Sequence, residues 1–100
     1  REARDIYLKN LSNPPSTEML ATELGVSRAT LDRAFAADIG FSPAKMLSRL
    51  RLDESKRLLK HSKLTVSEIA YSLGYCNSAY FVNTFKKEMG VSPRKWRGIL

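Results

Sequence analysis

Laid on itself with a shift of 49, the chain matches itself: Leu20, Ala21, Leu24 and Gly25 fall on Ile69, Ala70, Leu73 and Gly74. With a shift of 50, Phe35, Gly40, Ser42, Pro43 and Lys45 fall on Phe85, Gly90, Ser92, Pro93 and Lys95. The change of shift places one extra residue in the second copy, between Gly74 and Phe81. Two copies in 100 residues exclude a long solenoid, because stacked units need about three or more repeats to bury a continuous core. A duplicated small motif is the remaining solution.

Each copy is punctuated as helix, tight turn, helix. In the second, Thr65 with Glu68 three residues on forms a capping box, and Ile69, Ala70 and Leu73 make an apolar face at helical spacing. In the first, Ser16 follows Pro14 and Pro15, and Glu18 sits near the positive end of the helix dipole. Gly25 and Gly74 suit the left-handed backbone that ends a helix, and the chain restarts at Ser27 or Asn77 as a polar cap. Leu31, Ala34 and Phe35 in one copy, and Phe81, Thr84 and Phe85 in the other, form the stripe expected to pack on the preceding helix. Gly40 and Gly90 close these helices, after which Ser42–Pro43 and Ser92–Pro93 start new ones, with proline at the first helical position where its missing N–H costs nothing. No run of alternating β-branched residues is present, so the fold class is all-α.

The helix expected from Pro43 to about Lys60 joins the halves. At about 100° per residue, Lys45, Lys56, Arg49, Lys60, Asp53 and Arg57 share one arc, while Met46, Leu50, Leu47, Leu58, Ser55, Leu59 and Leu52 occupy most of the rest. Arg51 and Glu54 intrude on the apolar side, spaced to pair with each other. A connector about 27 Å long would hold the two copies at a nearly constant separation. The expected division is a first subdomain over residues 1–42, a connecting helix over 43–61 and a second subdomain over 62–100.

Composition narrows the function. Seventeen Lys and Arg against ten Asp and Glu give a net charge of +7, which makes a polyanion the first partner to consider. The apolar runs are too short for a membrane span or a signal peptide, so a cytoplasmic location follows by default. The single cysteine, Cys76, allows no internal disulfide and no multi-cysteine metal cage. The single histidine, His61, lies fifteen residues from Cys76, with no signposted third residue to orient a nucleophilic pair. Neither metal, cofactor nor catalysis is expected. Tyr71, Tyr75 and Trp96 read as core aromatics rather than a ligand box. Opening at Arg1 without an initiator methionine, the chain is expected to be a piece of something longer.

A helix-turn-helix places the outward face of its second helix in the DNA major groove. The candidate base readers on that face are Arg28, Ala29, Asp32 and Arg33 in the first copy, and Ser78, Ala79, Val82 and Asn83 in the second. Arg28 and Arg33 suit guanine, Asn83 suits adenine, and Val82 or the alanines suit a thymine methyl. Asp32 has two readings, acceptance from a cytosine amine or a local ion pair with Arg28 or Arg33. Residues 1–50 carry seven basic and six acidic groups, and residues 51–100 ten and four, so the charge is concentrated in the second copy. Candidate phosphate contacts are Thr30, Tyr80, Lys86, Lys87, Arg94 and Lys95, with Arg97 in the same basic cluster. A protein-interaction module docking on RNA polymerase or another regulator is the alternative.

Taken together, Leu20, Ala21, Leu24, Gly25, Ser27, Leu31, Arg33, Phe35, Gly40 and Ser42, then Leu50, Arg51, Leu52, Leu58 and Leu59, then Glu68, Ile69, Ala70, Gly74, Tyr75, Tyr80, Phe81, Phe85, Lys86, Gly90, Ser92, Pro93 and Arg97 resemble the AraC/XylS transcription regulators. The resemblance spans nearly the whole chain. It implies about seven helices in two helix-turn-helix subdomains joined by a long helix, acting on double-stranded promoter DNA. It also implies a separate effector-sensing or dimerising region outside these residues. Ala36 and Ala37 stand where the family usually has a basic pair, and Asn83 where arginine is frequent.

Overall fold

In the computed structural model, which describes residues 2–100, the polar caps read from the sequence are in place. Ser16 Oγ accepts from the Met19 amide at 3.1 Å and Asn77 Oδ1 from the Tyr80 amide at 2.7 Å. Thr65 and Glu68 complete their reciprocal box, with the Thr65 amide 2.8 Å from Glu68 Oε1 and the Glu68 amide 3.1 Å from Thr65 Oγ1. Each cap satisfies a backbone N–H that the first helical turn leaves without an intrahelical partner. The described residues form seven helices and no strand: α1 (Glu2–Lys9), α2 (Thr17–Glu23), α3 (Arg28–Asp38), α4 (Pro43–His61), α5 (Val66–Ser72), α6 (Ser78–Met89) and α7 (Pro93–Ile99).

The two turns repeat each other bond for bond. After α2 the Gly25 amide donates to Thr22 and the Val26 amide to Ala21; after α5 the Gly74 amide donates to Tyr71 and the Tyr75 amide to Ala70. This paired closure requires a left-handed residue, and Gly25 (φ 74°) and Gly74 (φ 89°) supply it without the Cβ strain any other residue would carry.

Contacts divide the chain inside α4 into two compact units, one ending at Leu50 and the other running Arg51–Leu100. The first unit's core gathers Ala3 and Tyr7 of α1, Leu20 and Ala21 of α2, Leu31 and Phe35 of α3, and Met46 and Leu50 of α4. In the second unit Ile69, Ala70, Phe81 and Phe85 are fully buried, and the Phe81, Phe85 and Trp96 rings meet edge to face at 5.9 and 5.7 Å. Helix α1 has no cap or repeat signal of its own in the sequence. It is held by two buried side chains.

Three packing expectations are corrected. Ala34 is exposed, because three residues after Leu31 it lies about 60° further round α3, where a methyl group does not reach the core. Tyr71 is 59% exposed and takes no part in the core, although Tyr75 is buried and Trp96 half-buried. On α4, Glu54 binds Arg57 through two hydrogen bonds of 2.8 and 2.6 Å, which hold its carboxyl below the usual range. Arg51 instead lays its guanidinium over the Tyr75 ring, 5.4 Å from the centroid. Ser55, within the apolar face and fully buried, donates its hydroxyl to the Leu52 carbonyl at 2.6 Å, so no polar hydrogen is left unpaired there.

Candidate nucleic-acid interface

Helices α3 and α6 occupy equivalent places in their units. Each follows a left-handed glycine and a polar cap, and each buries two residues four apart, Leu31 and Phe35 or Phe81 and Phe85. At about 100° per residue the direction opposite those pairs carries Ala29, Arg33 and Ala37 on α3, and Ala79, Asn83 and Lys87 on α6. All six are exposed. The remaining candidates lie on the flanks of this stripe: Arg28 and Asp32 are exposed, whereas Ser78 and Val82 are half-buried.

Charge is arranged differently on the two helices. Arg28 donates through Nη1 to Glu18 of α2 and through Nε to Asp32 Oδ2 at 3.2 Å, so its fork is engaged by two carboxylates. The local ion pair weighed for Asp32 is therefore present, and a contribution from Glu18 adds to it. Arg33 is the one basic side chain of α3 outside this network among the described residues, and its Nη2 makes only a long contact of 3.4 Å with Thr30 Oγ1. Thr30 is half-buried and its hydroxyl also accepts from Ser27 Oγ at 2.9 Å, as part of the helix cap. On α6, Lys86 and Lys87 stand exposed in the last turn, Tyr80 is 58% exposed, and Arg94 and Lys95 are exposed on α7.

Arg97 does not join that basic cluster. Its guanidinium turns inward and donates Nε to the Leu59 carbonyl at 2.9 Å, Nη1 to Leu64 at 2.7 Å, and Nη2 to Leu58 and Ser62 at 3.4 and 3.3 Å. Helix α4 ends at His61, and the last four carbonyls of a helix have no intrahelical partner. Arg97 serves the Leu59 carbonyl and two more in the following loop, and adds a long contact to Leu58, whose carbonyl already accepts from the Ser62 amide and hydroxyl, with its charge at the negative end of the α4 dipole. It is a clasp between α7 and the end of α4. These partners lie 33 to 39 residues away in sequence, which is why periodicity and charge counting placed Arg97 with the surface cations.

Beneath α6, Tyr75 packs on Phe81 at 5.0 Å and Tyr80 at 6.0 Å, and burial pushes its phenol above the ordinary value. Its hydroxyl is buried with no hydrogen-bond partner among the described residues. Removing an unpaired polar atom sheds its desolvation cost. Tyr75→Phe is accordingly expected to leave the stability to urea unfolding unchanged or raise it by up to about 1 kcal/mol; a drop of similar size would mean that the hydroxyl is hydrogen-bonded in solution.

Cys76 lies exposed in the turn before α6, and His61 is exposed at the end of α4. Among the described residues no group of three or more His, Cys, Asp or Glu could hold a metal ion, and no helix is long and apolar enough to cross a membrane.

Residues 20–99 match the family described as "Helix-turn-helix domain". The transcriptional activator RhaS of Escherichia fergusonii is 39% identical over 82 residues, covering 82% of this chain and 30% of RhaS. A crystal structure of a transcriptional regulator with an AraC-type DNA-binding domain, from Chromobacterium violaceum, superposes with a TM-score of 0.92 at 30% identity, covering 97% of this chain and 87% of that one. The chain belongs to the AraC/XylS family. The DNA-binding domain of AdpA, a global transcriptional factor solved in complex with a target DNA, is 30% identical to this AraC/XylS domain with a TM-score of 0.90, covering 98% of this chain and 88% of that one. The domain spans about a third of the length of the curated relatives it matches.

Proposed function

We propose that this AraC/XylS domain binds double-stranded promoter DNA sequence-specifically within a cytoplasmic bacterial transcription regulator, each unit entering a major-groove segment through its second helix, with no catalytic step. The observation that carries the reading is the exposed, outward stripe of each second helix, tipped by Arg33 in one unit and by Asn83 beside Lys86 and Lys87 in the other. Arg33 has the donor fork that matches guanine O6 and N7, and Asn83 the amide that matches adenine N6 and N7. Ala29 and Ala79 would touch thymine methyls, with the half-buried Val82 and Ser78 at the margin of the contact. Thr30, Tyr80, Lys86, Lys87, Arg94 and Lys95 would fasten the domain to phosphates. Because the two stripes differ, the preferred site is asymmetric and needs no palindrome. An effector-sensing or dimerising region is the further part this reading expects of the whole regulator.

Selection of bound duplexes from a random library tests it. The expected result is an enriched asymmetric motif bound about a hundredfold or more tighter than a scrambled control. Arg33→Ala and Asn83→Ala should each weaken the selected site by about 1 to 3 kcal/mol and relax selectivity at one position. Equal losses on selected and scrambled duplexes would remove both residues from base readout.

A second reading, docking on RNA polymerase, draws on the near-neutral first unit, where Glu18 and Asp32 engage Arg28. It expects first-unit charge variants that keep site affinity but lose transcriptional activation.

A further inference from the structure

We infer that Glu18, which lies on α2 outside both recognition helices, governs the base preference of α3 by holding Arg28 against Asp32, and that the Asp32 carboxylate so placed reads a cytosine amine. The inference rests on the DNA-binding reading above and adds to it a positioning residue and a base.

The geometry runs across two helices. Arg28 and Asp32 are four residues apart on α3 and pair through Nε and Oδ2, while Glu18, ten positions before Arg28, takes Nη1 from the other side. Bidentate recognition of guanine needs two parallel N–H groups of a guanidinium pointing at the base edge. With Arg28 drawn to carboxylates through two of its three nitrogens, that fork is committed before DNA arrives, and Arg28 serves as a bridge instead of a reader.

The same contacts make Asp32 useful. A bare carboxylate carried toward a phosphate backbone is repelled. Arg28 offsets its charge and fixes its rotamer through Oδ2, leaving Oδ1 as an acceptor. Arg28 and Asp32 line one shallow groove with Ala36, Gly40, Phe41 and Ser42. The absence of a long side chain at Ala36 and Gly40 keeps the carboxylate approachable along that edge. In the major groove an acceptor-only group matches the cytosine N4 amine and repels the O6 and N7 acceptors of guanine and the O4 of thymine. The equivalent α6 positions, Ser78 and Val82, are uncharged, so the device belongs to the first unit and adds to the asymmetry of the site.

The test compares wild type, Asp32→Ala, Asp32→Asn and Glu18→Gln by library selection, followed by affinities on four duplexes that differ at one base pair. Wild type should prefer cytosine at one position of the first unit's half of the motif by about five- to a hundredfold. Asp32→Ala should flatten that position, and Asp32→Asn should move it to adenine, whose N6 and N7 fit a carboxamide. Glu18→Gln should cut the cytosine preference by roughly 1.5- to 5-fold, the scale of an exposed ion pair, while tightening binding to scrambled DNA, because Arg28 becomes available to phosphates. The ratio between duplexes is the readout, since a folding defect weakens all of them in parallel. Unchanged base preferences in all three variants would reduce the trio to a local ion pair and overturn the inference. A change in the Asp32 variants with a parallel loss only in Glu18→Gln would overturn the role of Glu18. A wild-type chain that enriches no motif would instead overturn the DNA reading on which this rests.

Discussion

Arg97→Ala is expected to destabilise the second unit by about 2 to 4 kcal/mol, read as a fall in the midpoint of urea unfolding, with little change in the first unit's own contacts. The substitution removes a cation with four hydrogen bonds and leaves the carbonyls of Leu59, Ser62 and Leu64 to be satisfied by water or not at all, while Leu58 keeps the Ser62 amide and hydroxyl as donors. Hydrogen bonds to charged groups contribute about 1.5 to 3 kcal/mol each in isolation, and four on one side chain are far from additive. Arg97→Lys should recover only part of the loss, because an ammonium has three donors on one atom and cannot span carbonyls that the planar fork reaches from three nitrogens. DNA binding should fall only in proportion to the unfolded fraction, on matched and scrambled duplexes alike. A chain that keeps its stability but loses affinity uniformly, with a salt slope about one unit shallower, would return Arg97 to the phosphate contacts.

Binding itself should be steeply salt-dependent. Of the six side chains proposed on phosphates the four cationic ones imply a log-log slope of about −3.5, so that affinity falls about a hundredfold between 50 and 200 mM salt. The physical cause is release of condensed counterions from the duplex. Lys86, exposed in the last turn of α6, is proposed to meet the phosphate backbone without reading bases, so Lys86→Ala should weaken every sequence alike and make the slope shallower by about one. Fluorescence anisotropy on one selected and one scrambled duplex across a salt series checks both statements. A slope shallower than about −2 would mean that the basic residues of the second unit are solvated charge rather than phosphate contacts.

The contrast between Arg97 and Lys86 shows where reading a chain of residues succeeds. Both are basic residues in the same stretch, and local pattern gives them the same role. Only Arg97 has acceptors waiting within reach, and those belong to α4 and the loop after it. The same limit hid Glu18: a carboxylate near a helix start is a sound dipole partner, and nothing local indicates that it also meets Arg28 on the next helix. Tyr71, Tyr75 and Trp96 looked alike as core aromatics, yet Tyr71 points outward, because which side of a short helix is covered depends on its neighbours.

By itself the sequence determined the elements whose causes are local. The duplicated helix-turn-helix, the caps at Ser16, Ser27, Ser42, Thr65, Asn77 and Ser92, the left-handed glycines, the long α4 and the outward stripes centred on Arg33 and Asn83 all follow from interactions within about five residues. The tertiary structure alone decided which polar side chains turn inward and which charges neutralise one another. Arg97 became a clasp on α4, Arg28 a bridge between Glu18 and Asp32, and Arg51 a lid on Tyr75. The reason is that a charged side chain takes its role from whatever acceptor or ring folding brings within hydrogen-bond or stacking distance, and that distance is set by packing between helices, not by spacing along one.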